Sequence, residues 1–298
     1  MFVVKYSKIW LSLGVFFVVA SMISLFVFGL NLGVDFKGGS VLELSIEDNP
    51  SVDELKGLIK EEAKLDTISL TQNEDEVYKL EFKALSPEEN DLVISSLNKK
   101  YEAESVKIIS KYTISPSIGQ ELQQRAVFAI IMVLIAIIGF ITYVFKGISY
   151  PVPSLYYGLV AILALFHDII IPIGIFSYLS YLKIVEIDTL FIIALLSILG
   201  ASVNDTIVIF DRIRENIRKL GGDNFEKVVA KSIEETLTRS INTTLTILFI
   251  LGAIIFLGGE TVKFFAIALF IGMFFGTYSS IFLASPMLIY IYKKKFKN

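Results

Sequence analysis

The chain has no cysteine and a single histidine in 298 residues. Without cysteine there is no disulfide and no thiolate metal centre. One histidine, His167, also argues against an all-protein zinc site, so neither a metal nor a cofactor is expected. Charge is missing from several long apolar runs. No A-x-A-like site follows the first of them, which therefore reads as a retained membrane span rather than a cleaved signal peptide. The hydrophobic fraction is 54%, too high for an ordinary soluble domain. The net charge of −3 says little, because the charges are gathered in a few segments.

Ile9 to Leu30 is uncharged and long enough to cross a hydrocarbon core of about 30 Å. Further spans are predicted at Ala126–Phe145, Val152–Tyr178, Thr189–Phe210, Ile241–Leu257 and Phe264–Tyr290. A short turn holding Lys146, Gly147 and Pro151 joins the second to the third. The expected architecture is a polytopic α-helical membrane protein of six spans, with one small extracytoplasmic α+β domain between the first two. Its parts are expected at 1–31, 32–119 and 120–298.

Orientation follows from lysine and arginine in the short loops. Lys5, Lys8, Lys146, the basic residues of 211–240, and Lys293, Lys294, Lys295 and Lys297 fall on one side. Only Lys183 and Lys263 fall on the other. Both termini are therefore expected in the cytoplasm of a cell whose inner membrane the chain crosses.

The outward stretch alternates as a strand at Val41–Ile46, then shows a capping-box pair, Ser51 and Glu54, opening a helix to about Ala63. Ile68–Thr71 and Val77–Phe82 read as strands around a turn at Asn73–Glu76. Ser86, Pro87 and Glu89 open a helix to about Tyr101, and Ser105–Thr113 closes as a strand. The order β-α-β-β-α-β is that of a ferredoxin-like split βαβ unit. With no histidine, cysteine or phosphate-cradling glycine loop, this module reads as a binding or lever element, and no enzyme is expected.

The stretch from Leu199 to Asn216 organises the rest. Its first half carries Asp205 beside Asn204 at membrane depth, where an ionised carboxylate costs several kcal/mol unless a partner, water or a proton relieves it. Asp205 lies about 9 Å from the charged residue Asp211 at the helical rise, hence in the inner-leaflet half. Small neighbours, Gly200, Ala201 and Ser202, let another helix approach it. An exchangeable acid is the favoured reading, with a static, hydrogen-bonded acid as its alternative.

Arg239, Asn242, Thr243 and Thr246 form one polar stripe at the start of the fifth span. Arg239 lies at a depth similar to Asp205 and serves either as its partner or as a snorkelling arginine that marks the inside. Between them, residues 211–240 read as two amphipathic helices broken at Gly221–Gly222, lying at the membrane interface or solvated. His167 and Asp168 sit mid-span. Consecutive helical side chains diverge by about 100°, which argues against a simple dyad. Asp168 is either a second titratable site or a structural acid. Gly272 and Gly276 form a small-xxx-small packing surface.

Several runs resemble the SecD/SecF protein-export family: GVDFKGGS at Gly33–Ser40, SPSIGQEL at Ser115–Leu122 and GASVNDTIVIFDRIREN at Gly200–Asn216. TRSINTT at Thr238–Thr244 and GTYSSIFLASP at Gly276–Pro286 resemble the SecF branch of it. The resemblance implies a half-transporter of the resistance-nodulation-division superfamily. It would pair with a separate SecD chain beside the SecYEG channel and use the proton motive force to promote export of unfolded preproteins. It also implies that Asp205 and Arg239 are proton-relay residues. Gly33, Gly38 and Gly39 would give the junction after the first span the latitude of a hinge. The lipid bilayer is the remaining partner, and no nucleic acid is expected. An ion-coupled small-molecule or lipid exporter of the same superfamily is the alternative, although about 90 soluble residues are few for an efflux duct.

Overall fold

The computed structural model describes residues 2–63, 65, 67, 69–72, 76–101, 105–145 and 150–296. Ile68, Asn73, Lys146, Gly147 and Lys297, part of the turn, strand and charge readings above, lie outside the described residues. In chain order, α1 (Ser7–Phe28) is followed by β1 (Gly39–Ile46), α2 (Val52–Leu58), β2 (Ser69–Gln72), β3 (Val77–Phe82), α3 (Pro87–Lys100) and β4 (Val106–Ile114). Then come α4 (Pro116–Val144), α5 (Ser154–Tyr181), α6 (Thr189–Leu220), α7 (Phe225–Leu257), α8 (Glu260–Tyr278) and α9 (Ser285–Lys295). A π-helical turn, Ser279–Ala284, joins α8 to α9. The contacts divide the chain into two compact units, Leu32–Val127 and Met1–Asn31 with Phe128–Asn298.

The smaller unit is the expected split βαβ. Its strands run β2-β3-β1-β4, every neighbouring pair antiparallel. The register sets Leu42 opposite Leu80 and Leu44 opposite Tyr78. Because side chains alternate along a strand, these residues share one face. Leu55, Leu58, Ile59, Val93 and Leu97 from the helical layer cover that face. Ser86 and Glu89 close a full capping box. At Ser51 only half of the expected box forms: Ser51 accepts the Glu54 N–H, while the Glu54 carboxylate turns to Lys100 and Tyr101 instead.

Gly38 sits at φ +76, and a Cβ there would press on the Pro116 backbone; one at Gly39 would meet the Phe82 carbonyl. Tight packing within this unit thus accounts for both glycines. Gly33 has ordinary extended angles at the head of the turn Val34–Lys37.

Among the described residues six helical segments are long and apolar enough to cross a membrane, α8 and α9 counting as one. Phe26, Phe249 and Phe256 stand exposed, as lipid-facing side chains would. α1 lies close on α5: Ser24 Oγ donates to the Gly174 carbonyl at 2.7 Å and Ser177 Oγ to that of Ser24 at 3.1 Å.

Residues 211–240, read as two amphipathic helices broken at Gly221–Gly222, are the end of α6 and the start of α7, which turn at Gly221. Their apolar residues Ile213, Val229 and Ile233 are 0% exposed, because the two arms pack on each other and on the rest of the bundle. Arg212 pairs with Glu235 at 2.7 Å, and Asn216 Nδ2 donates to Ser232 Oγ at 2.9 Å. The apolar faces of both arms are filled by packing within the bundle.

Candidate proton site in the helix bundle

α6 is started by Asp188, whose carboxylate accepts the Phe191 N–H. It then runs unbroken through Ser202 and Asp205, which lie three residues apart on one face. α8 crosses that face closely. A Cβ added to Gly272 would run into Ile198, and one on Gly276 would touch Ser202. The two glycines therefore bring the α8 backbone onto α6, as small-xxx-small surfaces do in membranes. The approach delivers Thr277: its Oγ1 donates to Asp205 Oδ2 at 3.1 Å. Thr277 is itself hydrogen-bonded to Thr244 of α7.

Asp205 is half-buried beside a crevice of about 10 Å³, room for roughly one water, lined by Ala201, Ser202, Gly272, Met273, Gly276 and Thr277. No ion pair joins Asp205 to Arg239 among the described residues; Arg239 is one of the charged groups near enough to act on it electrostatically, with Asp168 the other. The whole stripe Arg239, Asn242, Thr243 and Thr246 is exposed. Ser240 and Thr244 occupy the buried face of α7 instead. Asn204 is exposed as well.

The expectation for His167 and Asp168 was wrong in its geometry. Although their Cβ directions diverge, rotation about the side-chain torsions brings His167 Nδ1 to 2.8 Å from Asp168 Oδ1. Asp168 Oδ2 accepts from Ser279 Oγ at 2.8 Å and from Ser202 Oγ. The π-turn positions Ser279 and also buries Ser280. Pro286 explains why the helix widens there: its ring has no N–H and crowds the preceding turn. Ser285 Oγ then satisfies the Ser280 carbonyl at 3.2 Å.

The structure thus gathers Asp205, Asp168 and His167 in the bundle with Ser202, Thr277, Ser279 and Thr244, hydroxyls to which the sequence reading assigned no bond. Their signal was present in the i, i+3 spacing of Ser202 and Asp205 and in the hydroxyl-rich run after Gly276.

The profile described as "Protein export membrane protein SecD/SecF, C-terminal" matches residues 93–294, and the "SecD/SecF GG Motif" profile matches residues 23–49. A protein translocase subunit SecF from Thermobaculum terrenum is 35% identical, over 96% of this chain and 92% of that one. Its counterpart from Sebaldella termitidis is also 35% identical, over 97% and 91%. The crystal structure of SecDF, a translocon-associated membrane protein from Thermus thermophilus, superposes with a TM-score of 0.84 at 30% identity, covering 98% of this chain. The chain spans 38% of that SecDF chain.

Proposed function

The chain belongs to the SecD/SecF family of protein-export membrane proteins, and from that premise we propose that it is the SecF-type auxiliary subunit of the Sec translocase, coupling proton movement at Asp205 to the export of preproteins. The site supports this reading through one observation. Among the described residues Asp205 is neither sealed in the core nor neutralised by an ion pair. It stands half-buried at a crevice, held by a single hydroxyl, with Arg239 in electrostatic range. An acid so placed can change its proton content without rupturing a salt bridge. Protonation removes its attraction to Arg239, and that difference between states is what can bias one helix arrangement over another.

Asn204, Arg239 and the half-buried Asp205 all reach the outside of this bundle. Polar groups facing lipid are costly, so a second membrane subunit is expected to cover them. A SecD chain is the reading the relatives support, with SecYEG and unfolded preproteins as the wider partners. The termini and the α6–α7 hairpin lie on the cytoplasmic side of the inner membrane in this reading, and the split βαβ unit on the outer side. A swing of that unit would pivot near Gly33, since Gly38 and Gly39 are packed within it. A small-molecule or lipid exporter is not favoured, the relatives being named translocase subunits.

The test compares secretion with and without a membrane potential in cells whose only copy carries Asp205→Asn. The variant keeps size and hydrogen bonding but fixes the neutral state. Expression and association with SecD should persist while the gradient-dependent gain disappears. Full retention of that gain would make Asp205 a structural acid.

A further inference from the structure

The relay reading leaves a second buried acid unused. Asp168 is 0% exposed and His167 3%. The ionisable groups facing them are few. α6 contributes Asp205, and the last span contributes Tyr278, whose ring stacks on His167 at 5.9 Å. α1, packed on α5, adds no ionisable side chain beyond Lys8 near its start, and Arg239 of α7 acts on Asp205. Among the described residues no fixed cation therefore balances an ionised Asp168, and isolated charge in such surroundings is disfavoured. Burial therefore favours the form in which His167 and Asp168 hold one proton between them, as a carboxyl beside imidazole or a carboxylate beside imidazolium.

The hydroxyls around the pair suit both forms. Ser279 has one hydrogen and two acceptors within reach, Asp168 Oδ2 at 2.8 Å and the Gly276 carbonyl at 3.0 Å. With Asp168 ionised, the Ser279 hydrogen points at the carboxylate. With the carboxyl protonated, its proton sits on Oδ1 against His167 Nδ1, and the Ser279 hydroxyl is free to turn from Oδ2 to the Gly276 carbonyl. No heavy atom has to move. His167 Nε2 is buried and finds no hydrogen-bond partner among the described residues, so it can take up a proton without breaking a bond. The same few residues reach Asp205: Ser202 lies one turn before it, Gly276 lines its crevice and Thr277 donates to it.

We propose that His167 and Asp168 form a second proton-binding site, holding one proton jointly, whose occupancy is coupled to the charge of Asp205 through Ser202 and the segment 276–279. A hydronium gives its proton to Nε2 and leaves as water; the imidazolium passes its Nδ1 proton to Asp168, and the site goes from one negative charge to none. Its role in transport rests on the proposed relay, but its existence does not.

His167 is the only histidine, so the full chain carrying ¹⁵N-labelled histidine in lipid nanodiscs reports a single imidazole by NMR. The ring should titrate, and Asp205→Asn should move its midpoint to lower pH, because a neighbouring negative charge is gone. Ser279→Ala should also displace the midpoint, since Asp168 loses a donor. A ring that keeps one state wherever the protein stays folded, or a midpoint unmoved by both substitutions, overturns the proposal. Secretion separates the two readings. A moved midpoint with gradient-dependent secretion intact removes the relay and keeps the second site. An unmoved midpoint with secretion lost does the reverse.

Discussion

Thr277 Oγ1 stands 3.1 Å from Asp205 Oδ2, so a hydroxyl of the last membrane span, and not the Arg239 guanidinium, makes the direct bond to the acid. A hydrogen bond to a charged group contributes about 1.5–3 kcal/mol, and here it acts on the charged form. Thr277→Val should cut gradient-dependent secretion severalfold while Thr277→Ser retains it. Equal secretion by both variants, measured in cells with and without a membrane potential, would remove Thr277 from the mechanism.

The α6–α8 crossing makes a sharper stability prediction. A Cβ at Gly272 would overlap the Ile198 side chain, whereas one at Gly276 would only brush Ser202. Overpacking costs about 1–3 kcal/mol, so Gly272→Ala should lower the thermal midpoint in detergent more than Gly276→Ala does. Adding Ile198→Ala to Gly272→Ala should recover part of the loss. An equal effect at both glycines would refute the close crossing.

Topology is open to a thiol test, the chain having no cysteine of its own. Single cysteines belong at Ser95 and Lys227, both exposed. An impermeant reagent should label Ser95→Cys in intact cells and Lys227→Cys only after lysis. The opposite order would invert the orientation argued from the basic loops.

The split βαβ unit carries a pH-sensitive tie between its helices. Lys100 hydrogen-bonds Glu54 and, with its charge, holds that carboxyl below its ordinary value; Tyr101 adds a further bond. A depressed carboxylate contributes stability above its unfolded-state value, and the contribution is lost as pH falls through the folded-state value. Lys100, raised chiefly by the same bond, contributes below its unfolded-state value and loses that at strongly alkaline pH. Amide protection factors at the start of α2 and the end of α3, taken relative to the intrinsic exchange rate at each pH, should therefore fall on acidification. Glu54→Gln should show the lower protection already at neutral pH and respond little to acid. Unchanged acid sensitivity in that variant would exclude the tie.

Local chemistry made much of this protein legible. Uncharged runs of membrane length yielded six spans because a helix satisfies its whole backbone within one segment, as lipid demands. The Ser86–Glu89 box and the alternating strands yielded the βαβ unit, since caps and period-two patterns are properties of adjacent residues. Asp205 declared itself by its cost. What local chemistry left open was which neighbour each polar group would meet. The amphipathic pattern of 211–240 did not say which residues its apolar faces would meet, and only the packing of α6 on α7 supplied them. Arg239 shared the depth of Asp205, but the rotation of α7 turned it outward and brought Thr244 inward. His167 and Asp168 pointed apart as backbone vectors, and their torsions closed the gap. The π-turn before Pro286 set Ser279 against Asp168, a contact between residues 111 apart in the chain. Spacing along one helix fixes which residues share a face; which face meets which is settled only when all the helices pack together.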